Sequence, residues 1–443
     1  MIACLLVLAC AVLYPLALPA LERAFAGFYP EHEEWRQRLL TERLRAYASL
    51  LWVLCGLLAC WSWVVLERRR VNALEARVTA RLARVPRPVI VVVVGLAVCG
   101  LDYFFSTRDW VRLGRPCWDS YCYYAELLYK WLSGQGVERR LLAFMSEDYH
   151  ANSPMGPLLI AGFKLVTGVD TIVSYRACVF LASLAAVMLL WRGLFDMVQA
   201  GSEEVAAALL LFCTHLIVVR SSFFPQTDAF VLLWSTALLV VAARRWFAPR
   251  PWHGPACFLL LVTGLFVKLS FLPALALLPS WTVAVAIASR RWPDPRRLFT
   301  DVALYSVLPF ALFLLLQQRL GLLDLYGVEL RVIPGSDSHV LFVAMSFVHA
   351  AAILGPLAWL GRKHFSLLEA LLLAWAALYL GALWLSRASG WDRFALAALP
   401  PLTVTAARGL AVLREELGAG ALWAGMILAA ALNYAVLWLN VYY

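Results

Sequence analysis

An all-α polytopic membrane bundle is the fold class the sequence predicts, and three observations predict it. Apolar runs long enough to cross a bilayer, about 18 residues or more, recur along the 443-residue chain. Hydrophobic residues make up 63% of the chain and charged residues only 15%, a balance that ordinary soluble domains do not reach. The basic residues also concentrate in alternate connections, as membrane orientation requires. The net charge of +10 therefore does not indicate nucleic acid, which needs a clustered basic face on a soluble module. Only Lys130, Lys164, Lys268 and Lys363 among the 38 basic residues are lysines, a bias that points to a GC-rich bacterial genome.

Taken in order, residues 2–20 are apolar without a charged start and read as a retained transmembrane helix. Residues 21–45 balance five glutamates with five arginines, and Glu31, Glu33 and Glu34 after Pro30 mark an acidic helix start that runs into a span at 46–66. The connection 67–88 holds seven arginines against two glutamates. Val71, Leu74, Val78 and Leu82 recur there at helical spacing, predicting an amphipathic helix whose arginines suit an anionic inner leaflet. A third span at 89–105 leads into the longest loop, 106–155. The apolar run 157–166 is too short to cross and reads as an interfacial helix. Further spans follow at 171–192, 203–220, 228–243, 255–268, 270–288, 299–318, 339–361, 366–386, 393–410 and 418–440, about thirteen in all. The pair around Lys268 reads equally as two tight helices or as one re-entrant element.

Loop charge orients the bundle. With the N-terminus inside, the inner connections carry +11 together and the outer ones +1, as the excess of Lys and Arg on the cytoplasmic side demands. Loop 192–204, at −2, is the exception. This orientation turns 106–155 outward, with Arg115-Pro116-Cys117-Trp118-Asp119-Ser120-Tyr121-Cys122 at its centre. A helix beginning near Asp119 is expected to end at Ser133-Gly134, with Tyr121, Tyr124, Leu128 and Trp131 on one interfacial stripe. Asp119 reads either as an N-cap or as a carboxylate that activates a hydroxyl or holds a metal. Asp228, at another outer helix start, has the same two readings. Lys268 interrupts an apolar run of more than thirty residues, and either snorkels or meets a lipid phosphate. Arg112, Arg115 and Arg393 are further candidate anion contacts, beside Arg108, Arg139, Arg140 and Arg387, while Tyr123 and His150 are candidate substrate contacts. Cys117 and Cys122 are close enough to bond or to share a helical turn. No Gly-rich phosphate loop, HExxH or GxSxG is present. No set of residues requires a cofactor; a divalent metal is possible, with its ligands unknown.

The order of these features resembles the GT-C glycosyltransferases, near protein O-mannosyltransferases and lipid A aminoarabinose transferases. The stretches that carry it are Trp118 to Ala125, Asn152 to Leu159, Gly168 to Arg176, Gln226 to Ala229, Gly264 to Lys268 and Arg393 to Pro400, covering roughly 89–410. The chain departs from the family at Ser120, where many members carry Glu, and at Pro154-Met155-Gly156-Pro157, where a Pro-Pro pair is usual. The resemblance implies a GT-C-type core over 89–443, with 106–170 as its outer juxtamembrane loop, preceded by two extra helices and a basic cytoplasmic loop in 1–88. It implies an inverting, polyprenyl-phosphate-sugar-dependent transferase at the outer face of a bacterial inner membrane, acting on a glycolipid, polysaccharide or protein acceptor. Asp119 would then be the catalytic carboxylate, Asp228 the second outer-loop Asp, and Lys268 and Arg393 the phosphate or acceptor contacts. A lipid-linked substrate transporter or flippase is the rival reading.

Overall fold

The structure, a computed structural model, describes residues 9–20, 34–82, 84–113, 119–135, 154–223, 228–319, 366–385 and 396–439. Every regular element among them is helical. Among the described residues seven helices are long and apolar enough to cross a membrane: Ala48–Leu66, Thr171–Val198, Asp228–Phe247, Phe271–Ala288, Pro295–Arg319, Leu396–Leu417 and Ala419–Trp438. The chain is thus an all-α, multi-pass integral membrane protein. Residues 339–361, read above as a span, lie outside the described residues.

Two compact units form: Met1–Leu101, Thr214–Leu216 and Leu410–Tyr443 in one, Asp102–Cys213 and Ile217–Gly409 in the other. The C-terminal helix therefore packs with the N-terminal elements, whereas the sequence groups it with the core that follows residue 88. The first unit contains α1 (Ala9–Ala20), α2 (Glu34–Leu66), α3 (Arg68–Leu82), the first half of α4 (Arg87–Leu113) and a C-terminal helix, Ala419–Trp438. That last helix approaches its neighbours through small residues, the usual device where no hydrophobic drive separates protein from lipid. A Cβ on Gly425 would lie 2.8 Å from the Trp61 ring, and one on Gly420 would lie 2.7 Å from the Val71 carbonyl oxygen. The amphipathic helix expected in 67–88 is present as α3, and its Asn72 side chain bridges two main-chain groups. Its amide nitrogen donates to the Leu417 carbonyl at 2.9 Å, and its oxygen accepts from the Ala421 N–H at 3.2 Å.

The second unit is ordered by its helix breaks. α5 (Asp119–Leu132) and α6 (Met155–Thr167) precede α7, which runs from Thr171 to Val198 through a π-helical turn at Leu190–Phe195. α7 thus extends six residues past the 171–192 reading. Its entry is local chemistry: Gly168 takes a left-handed φ of 69° to end α6, and the Asp170 carboxylate caps α7 by accepting from Ile172 N–H. The expected span 203–220 is two helices, α8 (Ser202–Cys213) and α9 (Leu216–Phe223), broken at Thr214 and His215. α10 (Asp228–Phe247) and α11 (His253–Val267) form an antiparallel hairpin, pinned by the Trp234 indole donating to Thr263 at 2.8 Å. A short 3₁₀ stretch, Leu269–Ala276, then leads to α12 (Leu277–Ala288), so 255–288 is a pair of helices with an irregular joint. α13 (Pro295–Arg319), with a π-helical turn at Ala303–Val307, α14 (Leu367–Leu385) and α15 (Leu399–Leu417) follow, and Ala419–Trp438 is α16.

Two buried ion pairs tie one end of this unit. The Arg245 guanidinium meets Asp301 at 2.8 Å, Thr282 donates to the other Asp301 oxygen at 2.6 Å, and Arg245 stacks over the Tyr305 ring at 4.6 Å. Arg408 donates to Glu369 at 2.6 Å and to the Val198 carbonyl at 2.7 Å, while Glu369 and Ser366 form a reciprocal capping box. Asp301 and Glu369 have no exposed side-chain surface. Removing one partner strands a charge, which costs about 3–5 kcal/mol for a buried pair. Asp301→Ala should therefore destabilise the folded protein by about 3 kcal/mol, the lower bound, because Arg245 keeps some solvent. Thermal unfolding in detergent checks this, and an unchanged midpoint would show the pair to be dispensable.

Candidate functional site

The side chains that the sequence singled out divide into three groups. Asp228 and Lys268 come together. The Lys268 ammonium donates to Asp228 Oδ1 at 2.5 Å, and both side chains are largely buried. Asp119 begins α5 and Arg112 lies in the last turn of α4, but the side chains of both lie outside the described residues. Arg108 likewise lies in α4 without a described side chain, and Arg115, Arg139, Arg140, His150, Arg387 and Arg393 lie wholly outside. Tyr123 is half exposed on α5, in edge contact with Tyr124. The expected aromatic stripe of α5 is split. Tyr124 is buried in the helix packing, whereas Trp131 stays exposed. Cys122 is disulfide-bonded, and its partner lies outside the described residues.

Lys268 owes its position to a break in the helix. α11 ends at Val267, and Lys268 is extended, with φ −168° and ψ 142°. The chain then turns back, the Phe271 N–H donating to the Lys268 carbonyl at 2.9 Å. Phe271 folds over Gly264, where any Cβ would overlap its ring. Glycine at 264 is thus what allows the close approach. The result is a cation delivered at the end of α11 to the carboxylate that opens the preceding helix, α10. Tyr379 of α14, fully buried, lies within range of the Asp228 charge.

A second constellation, which the sequence reading did not single out, holds α5. Lys164 of α6 donates to Glu126 of α5 at 2.5 Å and to Thr171 of α7 at 2.8 Å, and the Thr171 hydroxyl also donates to Glu126. The Lys164 ammonium lies 4.4 Å from the centre of the Tyr129 ring. One node therefore fixes three helices, and Asp119 stands two turns N-terminal of its carboxylate. Burial pushes the Glu126 carboxyl up. The hydrogen bonds from Lys164 and Thr171 and the charges of Lys164 and Lys130 outweigh it, so the group is held below the ordinary carboxylate range. The sequence signal was faint: one of only four lysines, inside an otherwise apolar run.

α6 links the two constellations. Besides the Lys164–Thr171 contact, the Cys178 thiol reaches the Leu159 carbonyl at 3.9 Å. Moving back along α6 thus means moving forward along α7, and the helices run antiparallel rather than crossing flat. At the far end of α6, Met155 packs on the Val262, Leu265, Phe266 and Phe313 cluster, one turn before Lys268. α6 therefore spans from the node that holds α5 to the helix end that presents Lys268. Among the described residues no group of three or more His, Cys, Asp or Glu side chains is arranged to hold a metal.

The fold and this buried charged site define a multi-pass α-helical membrane protein with a polar site at its helix ends. No family model, curated protein or solved structure matches the chain.

Because Glu126 is held below its unfolded value, the clamp's stabilisation is complete above the ordinary carboxylate range and is lost as pH falls through the lowered folded value. Protection of the 119–132 amides, taken relative to their intrinsic exchange rates at each pH, should fall on acidification in the native protein. Glu126→Gln should show the reduced protection at neutral pH with no further acid step at this position. An acid step unchanged in that variant would assign the effect to another group.

Proposed function

We propose that the chain is a GT-C-type glycosyltransferase of about thirteen spans. It moves a sugar from a polyprenyl-phosphate donor to a glycolipid, polysaccharide or protein acceptor at the outer face of a bacterial inner membrane. The observation that carries this reading is the buried Lys268–Asp228 pair at the α11 break, joined through α6 to the helix that Asp119 opens. A buried charge in a membrane bundle is costly and is kept where substrate or charge must be handled. A cation held at such a helix break suits a site where a lipid phosphate must be met.

In this mechanism the acceptor oxygen forms a bond to the anomeric carbon on the face opposite the lipid phosphate. Asp119 takes the hydroxyl proton, and the bond between the anomeric carbon and the phosphate oxygen breaks. The electron pair leaves on that phosphate, where a positioned cation lowers the barrier. Configuration inverts. Arg112, Arg115 and Arg393 are the further anion contacts of this reading, and Tyr123 and His150 its further substrate contacts. No cofactor is required; a divalent metal, with ligands unassigned, would act on the same leaving charge. The disulfide at Cys122 fits an oxidising, outward-facing compartment for α5. The Asn72 bridge brings 67–88 beside the α15–α16 junction, two segments that the charge distribution both assigns inside.

One observation favours a transporter instead: α11 is interrupted at Lys268, and discontinuous helices are common in substrate carriers. Purified protein with a panel of polyprenyl-phosphate sugars separates the two. Wild type should consume a donor, and Asp119→Asn should lose on the order of 10²–10⁴ in rate while still binding it. Lipid flipping in liposomes without donor consumption would overturn the transferase. For the phosphate contact, Lys268→Met alone strands Asp228, so the informative variant is Asp228→Asn with Lys268→Met. It should fold with the wild-type midpoint yet raise the donor KM at least about tenfold, the scale of one charged hydrogen bond. Unchanged KM would exclude Lys268 from donor binding.

A further inference from the structure

We propose that α3 is a binding surface for anionic phospholipid headgroups on the cytoplasmic leaflet, separate from the candidate site and independent of the reaction assigned to it. It rests on the membrane orientation and on geometry within the first unit. α3 lies between two apolar helices: α2 ends at Leu66, one residue before it, and α4 begins at Arg87, shortly after it. A 15-residue helix is about 22 Å long. With a membrane helix attached at either end, it must lie along the membrane face rather than project from it. The Asn72 bridge to Leu417 and Ala421 ties it to the start of a third apolar helix, α16.

The rotation of α3 about its axis follows from that bridge. Val71, Asn72 and Glu75 are half-buried, and the first two meet α16. Next to that contact, on the same flank as Val71, lie Leu74, Val78 and Leu82, exposed at 56%, 46% and 43%. No residue of α3 is fully buried. At about 100° per residue these three side chains share an arc of about 80°. Arg70, Arg77 and Arg81 fall together just beside that arc, and all three are exposed. Arg70 pairs with the half-buried Glu67 at 3.3 Å. An apolar stripe with arginines along its edge is the pattern of a helix that sinks its stripe to the acyl boundary and holds its guanidinium groups at phosphate level. The surplus of seven arginines over two glutamates in 67–88 selects anionic over zwitterionic lipid.

The test uses the full chain in nanodiscs of phosphatidylcholine alone or with added phosphatidylglycerol, reading hydrogen exchange over 68–82. Exchange should slow on the order of tenfold with the anionic lipid, and the difference should vanish at molar salt. The triple variant Arg70→Gln, Arg77→Gln, Arg81→Gln should abolish the difference without moving the thermal midpoint, whereas the matching lysine substitutions should retain it. Equal exchange in the two lipids for the wild type would overturn the proposal. So would slowing reproduced in phosphatidylcholine by inorganic phosphate or by a soluble polyanion, since either would mean a free anion or an acidic macromolecule rather than a lipid surface. Donor turnover is not part of the readout, so failure of the transferase reading leaves this result interpretable.

Discussion

Pairing of charge inside a low-dielectric bundle is the constraint on which the second unit depends. An isolated ion there is too costly to keep, so each must find an opposite charge or a dipole. Asp228 meets Lys268, Asp301 meets Arg245, and Glu369 meets Arg408. α10 carries one member of two of these pairs, Asp228 at its start and Arg245 near its end. Seventeen residues of helix separate them by about 26 Å, close to the roughly 30 Å of a bilayer's hydrocarbon core. The charges thus bracket the apolar middle of α10 instead of interrupting it. Their partners come from elements 40 and 56 residues away in sequence, so the same pairs that make the charges tolerable also fix which helices are neighbours.

The two ends of α10 use that constraint differently. The Arg245 end engages Asp301, Thr282 and the Tyr305 face, with the short turn to α11 close by. That is how a structural clamp looks. The other end depends on an irregular joint, where an extended residue and a 3₁₀ stretch replace continuous helix and Gly264 admits the Phe271 ring. Irregular backbone at membrane depth is tolerated only where it is enclosed by protein or lines a cavity. The contrast directs functional attention to Lys268 and Asp228, and away from the equally buried Asp301.

How much of this was legible in the sequence follows from the range of the interactions. Long apolar runs marked the spans; Asp228 stood out as a charge at the edge of such a run and Lys268 as one inside it. Their mutual contact was not legible, since nothing local encodes a 40-residue separation. The capping at Gly168 and Asp170 was readable from the residues themselves, but the extension of α7 to Val198 was not. It follows from a π-helical turn whose Gly193 is packed against Val240, a tertiary contact. Reading 203–220 as one span failed because its hydropathy is high throughout, although Thr214 and His215 mark the break. Glu126 and Lys164 were overlooked for the converse reason. Each taken alone is an ordinary interfacial charge, and only the packing of α5 on the hairpin of α6 and α7 brings them to one node.

That hairpin also accounts for the short apolar run that could not cross a membrane. A 13-residue helix laid flat on the interface would leave Lys164 in solvent, with no reason for Met155 to reach α11. Set antiparallel against α7, it keeps Lys164 at the Thr171 end and sends Met155 toward the Val262–Phe266 face beside Lys268. The two ends of one helix then answer to two different polar constellations, about 14 Å apart along the nine residues from Met155 to Lys164. A shift of α6 along α7 would disturb both together: the Glu126 node that seats α5, and the packing that supports the end of α11. Positional coupling between the helix opened by Asp119 and the cation at 268 therefore needs no direct contact between them, because α6 is rigid over that length and anchored at both ends.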